Sequence, residues 1–145
     1  ELRFPLIDAM LTPFGVLGGL RGVFFAGIGG AGFHGQSFVP WTNSPEAYTP
    51  VIGYQQVDVF GTLAPVYGPT IPITGWRLRD ARASYGIGLE TALLGLPMHF
   101  DWSWRTLFNK NWEDALFYLP GAAEGKSGSD WFRTPKFSFW IGYDF

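Results

Sequence analysis

Three stretches of the chain alternate bulky apolar residues with small or polar ones at a period of two, and this constrains the fold more than any other feature. From Phe137 to Phe145, Phe137, Phe139, Ile141, Tyr143 and Phe145 fall on one face, and Ser138, Trp140, Gly142 and Asp144 on the other. Between Pro97 and Phe108, Phe100, Trp102, Trp104 and Thr106 oppose His99, Asp101, Ser103 and Arg105. From Ala83 to Leu94, Tyr85, Ile87, Leu89, Thr91 and Leu93 oppose Ser84, Gly86, Gly88 and Glu90. A strand separates such rows because successive side chains point to opposite sides of the sheet, whereas a helix mixes them.

Two earlier segments carry the pattern less cleanly. In ELRFPLI, Leu2, Phe4 and Leu6 oppose Glu1, Arg3 and Pro5, and a further strand is expected from Leu20 to Phe33. There Gly22, Gly27, Gly29, Gly30 and Gly32 blur both faces, as glycines do where a strand bulges, bends or meets another backbone closely. The 20 glycines and 11 prolines disfavour long helices, since they cost roughly 1 and 3 kcal/mol in a helix interior. The expectation is an all-β antiparallel fold in one domain spanning residues 1–145.

Composition limits what touches the apolar faces. Charged residues make up 15% and aromatics 19%, whereas an ordinary soluble domain carries about a quarter charged residues. No run approaches the roughly 20 apolar residues of a spanning helix, so any membrane crossing is by barrel strands. A formal net charge of −2 with dispersed cations offers no basic stripe for nucleic acid. The lack of cysteine excludes a disulfide framework and a thiolate metal site. The opening ELRFPLID is not a signal peptide, so the chain is expected either to have lost one or to begin partway through a larger protein.

Periodicity alone does not choose between a soluble sandwich, whose apolar face is core, and an outer-membrane barrel, whose apolar face meets lipid. Residue size favours the barrel: Trp, Phe and Tyr sit near segment ends as aromatic girdles do, and Gly and Ser accompany the charges opposite. On that reading Tyr85, Ile87, Leu89, Phe100, Trp102, Trp104, Phe139 and Ile141 face lipid, and Glu1, Arg3, Glu90, His99, Asp101 and Arg105 form a polar lumen network. The connections run roughly a dozen, about fifty, about three and about thirty residues, matching the short-inside, long-outside rhythm of such barrels. This places two extracellular loops at about residues 34–81 and 109–135, the first expected to hold a β-hairpin or a folded cap. Known barrels start at eight strands and an open edge in lipid leaves backbone groups unpaired, so five strands are expected to need upstream strands or another subunit; about eight strands within this length is the alternative.

The ordered set of motifs resembles the C-terminal part of the bacterial surface-antigen superfamily, the barrels that assemble or translocate proteins at the outer membrane, in the type joined to a TolB-like propeller. The matching residues are Glu1, Arg3 and Pro5 of an E-x-R-x-P strand, a Gly-rich strand from Gly22 to Gly29, Gly86-Ile87-Gly88-Leu89, Pro97 with Asp101, and Ile141-Gly142-Tyr143-Asp144-Phe145. The resemblance implies that Ile141, Gly142, Tyr143 and Phe145 form the signal read by the barrel-insertion machinery. It also implies a role in polypeptide insertion or transport. One position departs: where the superfamily has F-x-D, this chain has Phe25-Ala26-Gly27.

Catalytic and binding motifs are weak by comparison. Ser84, His99, Asp101 and Glu90 would allow a lumen hydrolase, but no G-x-S-x-G elbow occurs. Glu113, Asp114, Glu124 and Asp130 do not match a calcium-loop spacing and read as a solvated surface; GIGGAG lacks the ending of a phosphate loop. No cofactor or metal is expected. The leading expectation is a barrel segment in the outer membrane of a Gram-negative bacterium, in contact with lipid, that anchors or forms part of a larger envelope assembly. The alternatives are a soluble β-sandwich that binds glycan or protein through surface aromatics, and an outer-membrane barrel enzyme.

Overall fold

The computed structural model describes residues 1–13 and 15–142. In chain order its strands are β1 (Leu2–Thr12), β2 (Gly15–Gly30), β3 (Trp41–Thr42), β4 (Glu46–Tyr48), β5 (Val51–Gln56), β6 (Leu63–Tyr67), β7 (Ile71–Ile73), β8 (Arg77–Leu78), β9 (Ala81–Leu93) and β10 (Leu96–Thr106). Helices α1 (Lys110–Leu116), α2 (Tyr118–Ala123) and α3 (Gly128–Arg133) follow, then β11 (Lys136–Ile141). The protein is mostly β, 54% strand and 14% helix, with antiparallel sheets. The chain divides into two compact units. One comprises residues 1–28, 84–105 and 135–145, and the other residues 29–83 and 106–134.

The first unit is built on a five-stranded sheet in the order β1-β2-β9-β10-β11. Among the described residues this sheet does not close into a barrel; β1 and β11 are its edges. Strands β9 and β10 are joined by Leu94-Gly95, both at positive φ (53° and 80°), the backbone twist that suits a two-residue hairpin. β10 and β11 pair Phe100 with Phe139, Trp102 with Phe137, His99 with Trp140, and Asp101 with Ser138.

The first two strands are longer than their sequence pattern indicates. The connection expected at roughly a dozen residues is instead a tight reversal, because β1 runs on to Thr12 and β2 begins at Gly15. The register between them shifts between Pro5 and Ile7. This bulge adds one residue to β1 and changes its phase. Leu2, Phe4, Ile7, Ala9 and Leu11 therefore stay on one face, paired with Phe24, Gly22, Leu20, Gly18 and Val16. A strict period of two breaks at that point, which is why the alternation is hidden beyond Pro5.

Two aromatic rings lie over glycines of this sheet. A Cβ on Gly22 would collide with the Phe4 ring, and one on Gly86 with the Phe25 ring and the Trp102 carbonyl oxygen. Gly22, one of the glycines that blur the sequence pattern, and Gly86 are thus the flat ground on which large rings rest.

The second unit is formed by the two long connections. The one between β2 and β9 is a single interrupted hairpin: β3 pairs with β8, β4 with β7, and β5 with β6. The hairpin expected in this loop is thus present. At its tip the Asp58 carboxylate accepts from the Phe60 N–H (3.0 Å), the Thr62 N–H (2.9 Å) and the Thr62 hydroxyl (2.5 Å). The Thr62 hydroxyl, then the backbone donors, hold the Asp58 carboxyl below its ordinary value.

The connection between β10 and β11, expected as an extracellular loop, forms the three short helices. Local chemistry explains them. The Asn109 side chain accepts from the Trp112 N–H and that of Ser127 from the Asp130 N–H, with Glu113 and Asp130 in the first turns; these are N-cap and dipole contributions. Leu107, Trp112, Ala115 and Phe132 then pack with Ile73, Leu78, Ala81 and Ala83 into a buried core.

Glu113, read from sequence as solvated, is 0% exposed. Its Oε1 accepts from the Leu107 N–H (2.7 Å), and its Oε2 pairs with Arg133 Nε (2.5 Å). A buried carboxylate persists only when its lone pairs are met in this way. Arg77, equally buried, donates to Glu46 (2.8 Å) and lies 5.3 Å from the Trp112 ring centroid. Asp114 is raised by burial, but the Ser129 hydrogen bonds and Lys110 outweigh that and leave its carboxyl below the usual value.

Candidate functional site

The two faces of the five-stranded sheet carry opposite chemistry. One face holds the row Tyr85, Ile87, Leu89, Phe100, Trp102, Trp104, Phe139 and Ile141. Tyr85 is 50% exposed, Phe139 49% and Ile141 54%, and Ile87 is also exposed; Leu89, Phe100, Trp102 and Trp104 are half-buried. The half-buried rings lie against neighbouring rings. Tyr85 stacks on Trp104 at 5.9 Å, and Phe100–Phe139 and Trp102–Phe137 meet at 5.0 and 5.1 Å between centroids. Such cross-strand aromatic pairs stabilise a sheet by roughly 0.2–1 kcal/mol each.

The other face buries polar groups. His99 is only 6% exposed, and its ring lies flat on the Trp140 indole, with centroids 3.6 Å apart and planes 2° from parallel. Trp140 Nε1 donates to Asp101 Oδ2 at 3.0 Å. Arg3 donates to Glu1 at 2.7 Å and to Glu90 at 3.5 Å, linking β1 to β9. Local pattern explains the placement: His99, Asp101 and Arg105 alternate along β10, and the register with β11 puts Trp140 opposite His99. Gly88 leaves the adjoining space on β9 to the Asp101 carboxylate, which a Cβ there would strike.

Five of the six residues expected to form a polar network therefore come together. Glu1, Arg3, His99 and Asp101 line a cavity of about 270 Å³ with Val23, Phe25 and Trp140, and Glu90 joins through Arg3. Arg105 shares the face of β10 but does not line that cavity. Trp140 was missed as a site residue by sequence reasoning; its signal was its place in the polar row of the last segment. Of the expected assembly signal, Ile141 is exposed at the end of β11 and the Gly142 N–H bonds the Pro97 carbonyl at 3.1 Å. Tyr143 and Phe145 lie outside the described residues.

Ser84 does not line the cavity that His99 lines. Among the described residues no group of three or more His, Cys, Asp or Glu could hold a metal ion. No helix among them is long and apolar enough to cross a membrane, which leaves crossing by strands untouched. Comparison with family models, curated proteins and solved structures finds no match for this chain.

Proposed function

We propose that the chain is part of an outer-membrane β-barrel. In this reading its five long strands sit in the bilayer, the apolar face against acyl chains, and anchor a larger envelope assembly. The observation that carries the proposal is the inverted burial of the sheet: Tyr85, Ile87, Phe139 and Ile141 are exposed while His99 is buried and Asp101 half-buried behind them. Apolar surface left in water forfeits about 25 cal/mol per Å², so an aromatic row of this size calls for an apolar neighbour. Acyl chains supply one along the whole row, and the polar face suits a lumen.

Two further features support it. β1 and β11 are edges, and in lipid each must pair with further strands, supplied by upstream sequence or another envelope subunit. The surface-antigen likeness of Glu1, Arg3, Pro5, Gly86, Gly88, Pro97, Asp101 and Ile141-Gly142 points to the same membrane and to the barrel-insertion machinery as a partner during assembly. Gly27 stands where that superfamily has an acid, so the proposal stops at anchoring and assembly and does not extend to polypeptide transport. A soluble sandwich fits less well, because its apolar face would be core.

Extraction tests the proposal. The protein is expected to stay in the membrane fraction through high-salt and alkaline washes, to need detergent for release, and to migrate differently on a gel before and after boiling. Release into buffer as a monodisperse species would refute it.

A further inference from the structure

The polar cavity on the sheet holds an unmet hydrogen-bonding group. His99 Nε2 is buried and has no hydrogen-bond partner among the described residues, although His99 lines the cavity. A buried ring nitrogen without a partner costs about 1–3 kcal/mol. That cost disappears if an occupant supplies the bond.

The lining defines the occupant. Glu1 and Asp101 bring two carboxylates to the lining, and Arg3 is already bonded to both Glu1 and Glu90. The Asp101 carboxylate has one described hydrogen-bond donor, the neutral Trp140 indole. Phe25 and Trp140 add aromatic surface. An unpartnered ring nitrogen, carboxylates and aromatic rings in one small space match a planar organic cation, whose N–H groups fork to a carboxylate while its face packs on an aromatic ring.

We infer that this cavity is a binding site for a small guanidinium-type cation. Asp101 and Glu1 take its charge, and His99 Nε2 accepts one of its N–H groups with the ring proton on Nδ1. A volume of about 270 Å³ has room for a guanidinium group carrying an alkyl chain. The site lies within one sheet and does not depend on what touches the opposite face, so it stands or falls apart from the membrane reading.

Saturation-transfer NMR on the full chain, in detergent or in buffer, tests it with three probes: methylguanidinium, the isosteric but neutral methylurea, and acetate. The expected result is saturable transfer to methylguanidinium at roughly millimolar concentration, with little to methylurea and none to acetate. Asp101→Asn keeps the acceptor for Trp140 and should weaken binding about tenfold, the loss expected for one charged hydrogen bond. Glu1→Gln, at the exposed rim, should weaken it less, and serves as the check if Asp101→Asn fails to fold. Equal transfer to methylurea, preference for acetate, or methylguanidinium binding unchanged in both variants would overturn the assignment.

Discussion

The two units of this protein solve the burial problem in opposite ways. The unit made by the long connections keeps Leu78, Leu107, Trp112 and Phe132 inside and admits charge only where it is matched, as for Glu113 with Arg133 and Arg77 with Glu46. The five-stranded sheet buries His99, keeps Asp101 half-buried, and leaves Tyr85, Ile87, Phe139 and Ile141 exposed. The first arrangement has an apolar core, although its hairpin also leaves Trp41, Tyr54, Val59 and Phe60 exposed. The second is the arrangement expected of the proposed barrel, whose outer row would meet acyl chains.

The largest effect expected from this contrast lies in the connection unit. Phe132→Ala removes a ring that stacks on Phe117 at 4.2 Å and should cost about 3–5 kcal/mol through lost burial and a cavity. Limited proteolysis should then cut residues 106–134 while β1, β2 and β10 stay protected in detergent. Collapse of both regions together would break the distinction.

A charge on the sheet's apolar face comes next. Ile87→Arg should destabilise a bilayer-embedded sheet by up to about 2–4 kcal/mol, depending on depth, read as a lower unfolding midpoint in lipid. The same substitution on a water-facing strand would cost under about 0.5 kcal/mol, so the size of the shift sharpens the assignment.

Acid should act on the connection unit. Asp58 and Asp114 have folded-state carboxyls below the ordinary 3.8. Their contribution is therefore fully present above the unfolded value and is lost as pH falls through the lower folded value. Thermal unfolding of this unit should be flat from about pH 7 to pH 5 and fall below about pH 4. Asp114→Asn should flatten that fall, and an unchanged profile would remove Asp114 from the account.

The smallest effect concerns the hairpin. Leu94 is 81% exposed at φ 53°, where asparagine is tolerated better than leucine. Leu94→Asn should stabilise by about 0.5–1 kcal/mol in equilibrium unfolding. A loss of stability would mean that the Leu94 side chain, whose Cδ2 approaches Gly15, contributes more than the turn geometry.

Legibility from sequence divides along the same line. Where apolar and small or polar side chains alternate strictly, as in Tyr85–Leu93, Phe100–Trp104 and Phe137–Ile141, the period of two revealed the strands and both faces. Where a bulge changes phase after Pro5, the alternation persists in three dimensions but not along the chain, so β1 and β2 were underestimated. The helices of residues 110–133 were missed because each is six or seven residues long, too short to show a helical period, although Asn109 and Ser127 mark their starts. Glu113 looked solvated because its partners at Leu107 and Arg133 are set by folding. The polar site was mostly visible as a row, but the His99–Trp140 stack required the register between β10 and β11.

The central claim is that acyl chains touch the outer row, and the lack of cysteine makes site-directed spin labelling clean. Single cysteines at Ile87, Phe139, Ser103 and Ser138, labelled in native-like bilayers, should give high oxygen and low nickel-chelate accessibility at the first two positions and the reverse at the serines. Nickel accessibility at Ile87 and Phe139 equal to or above that at the serines would contradict the claim.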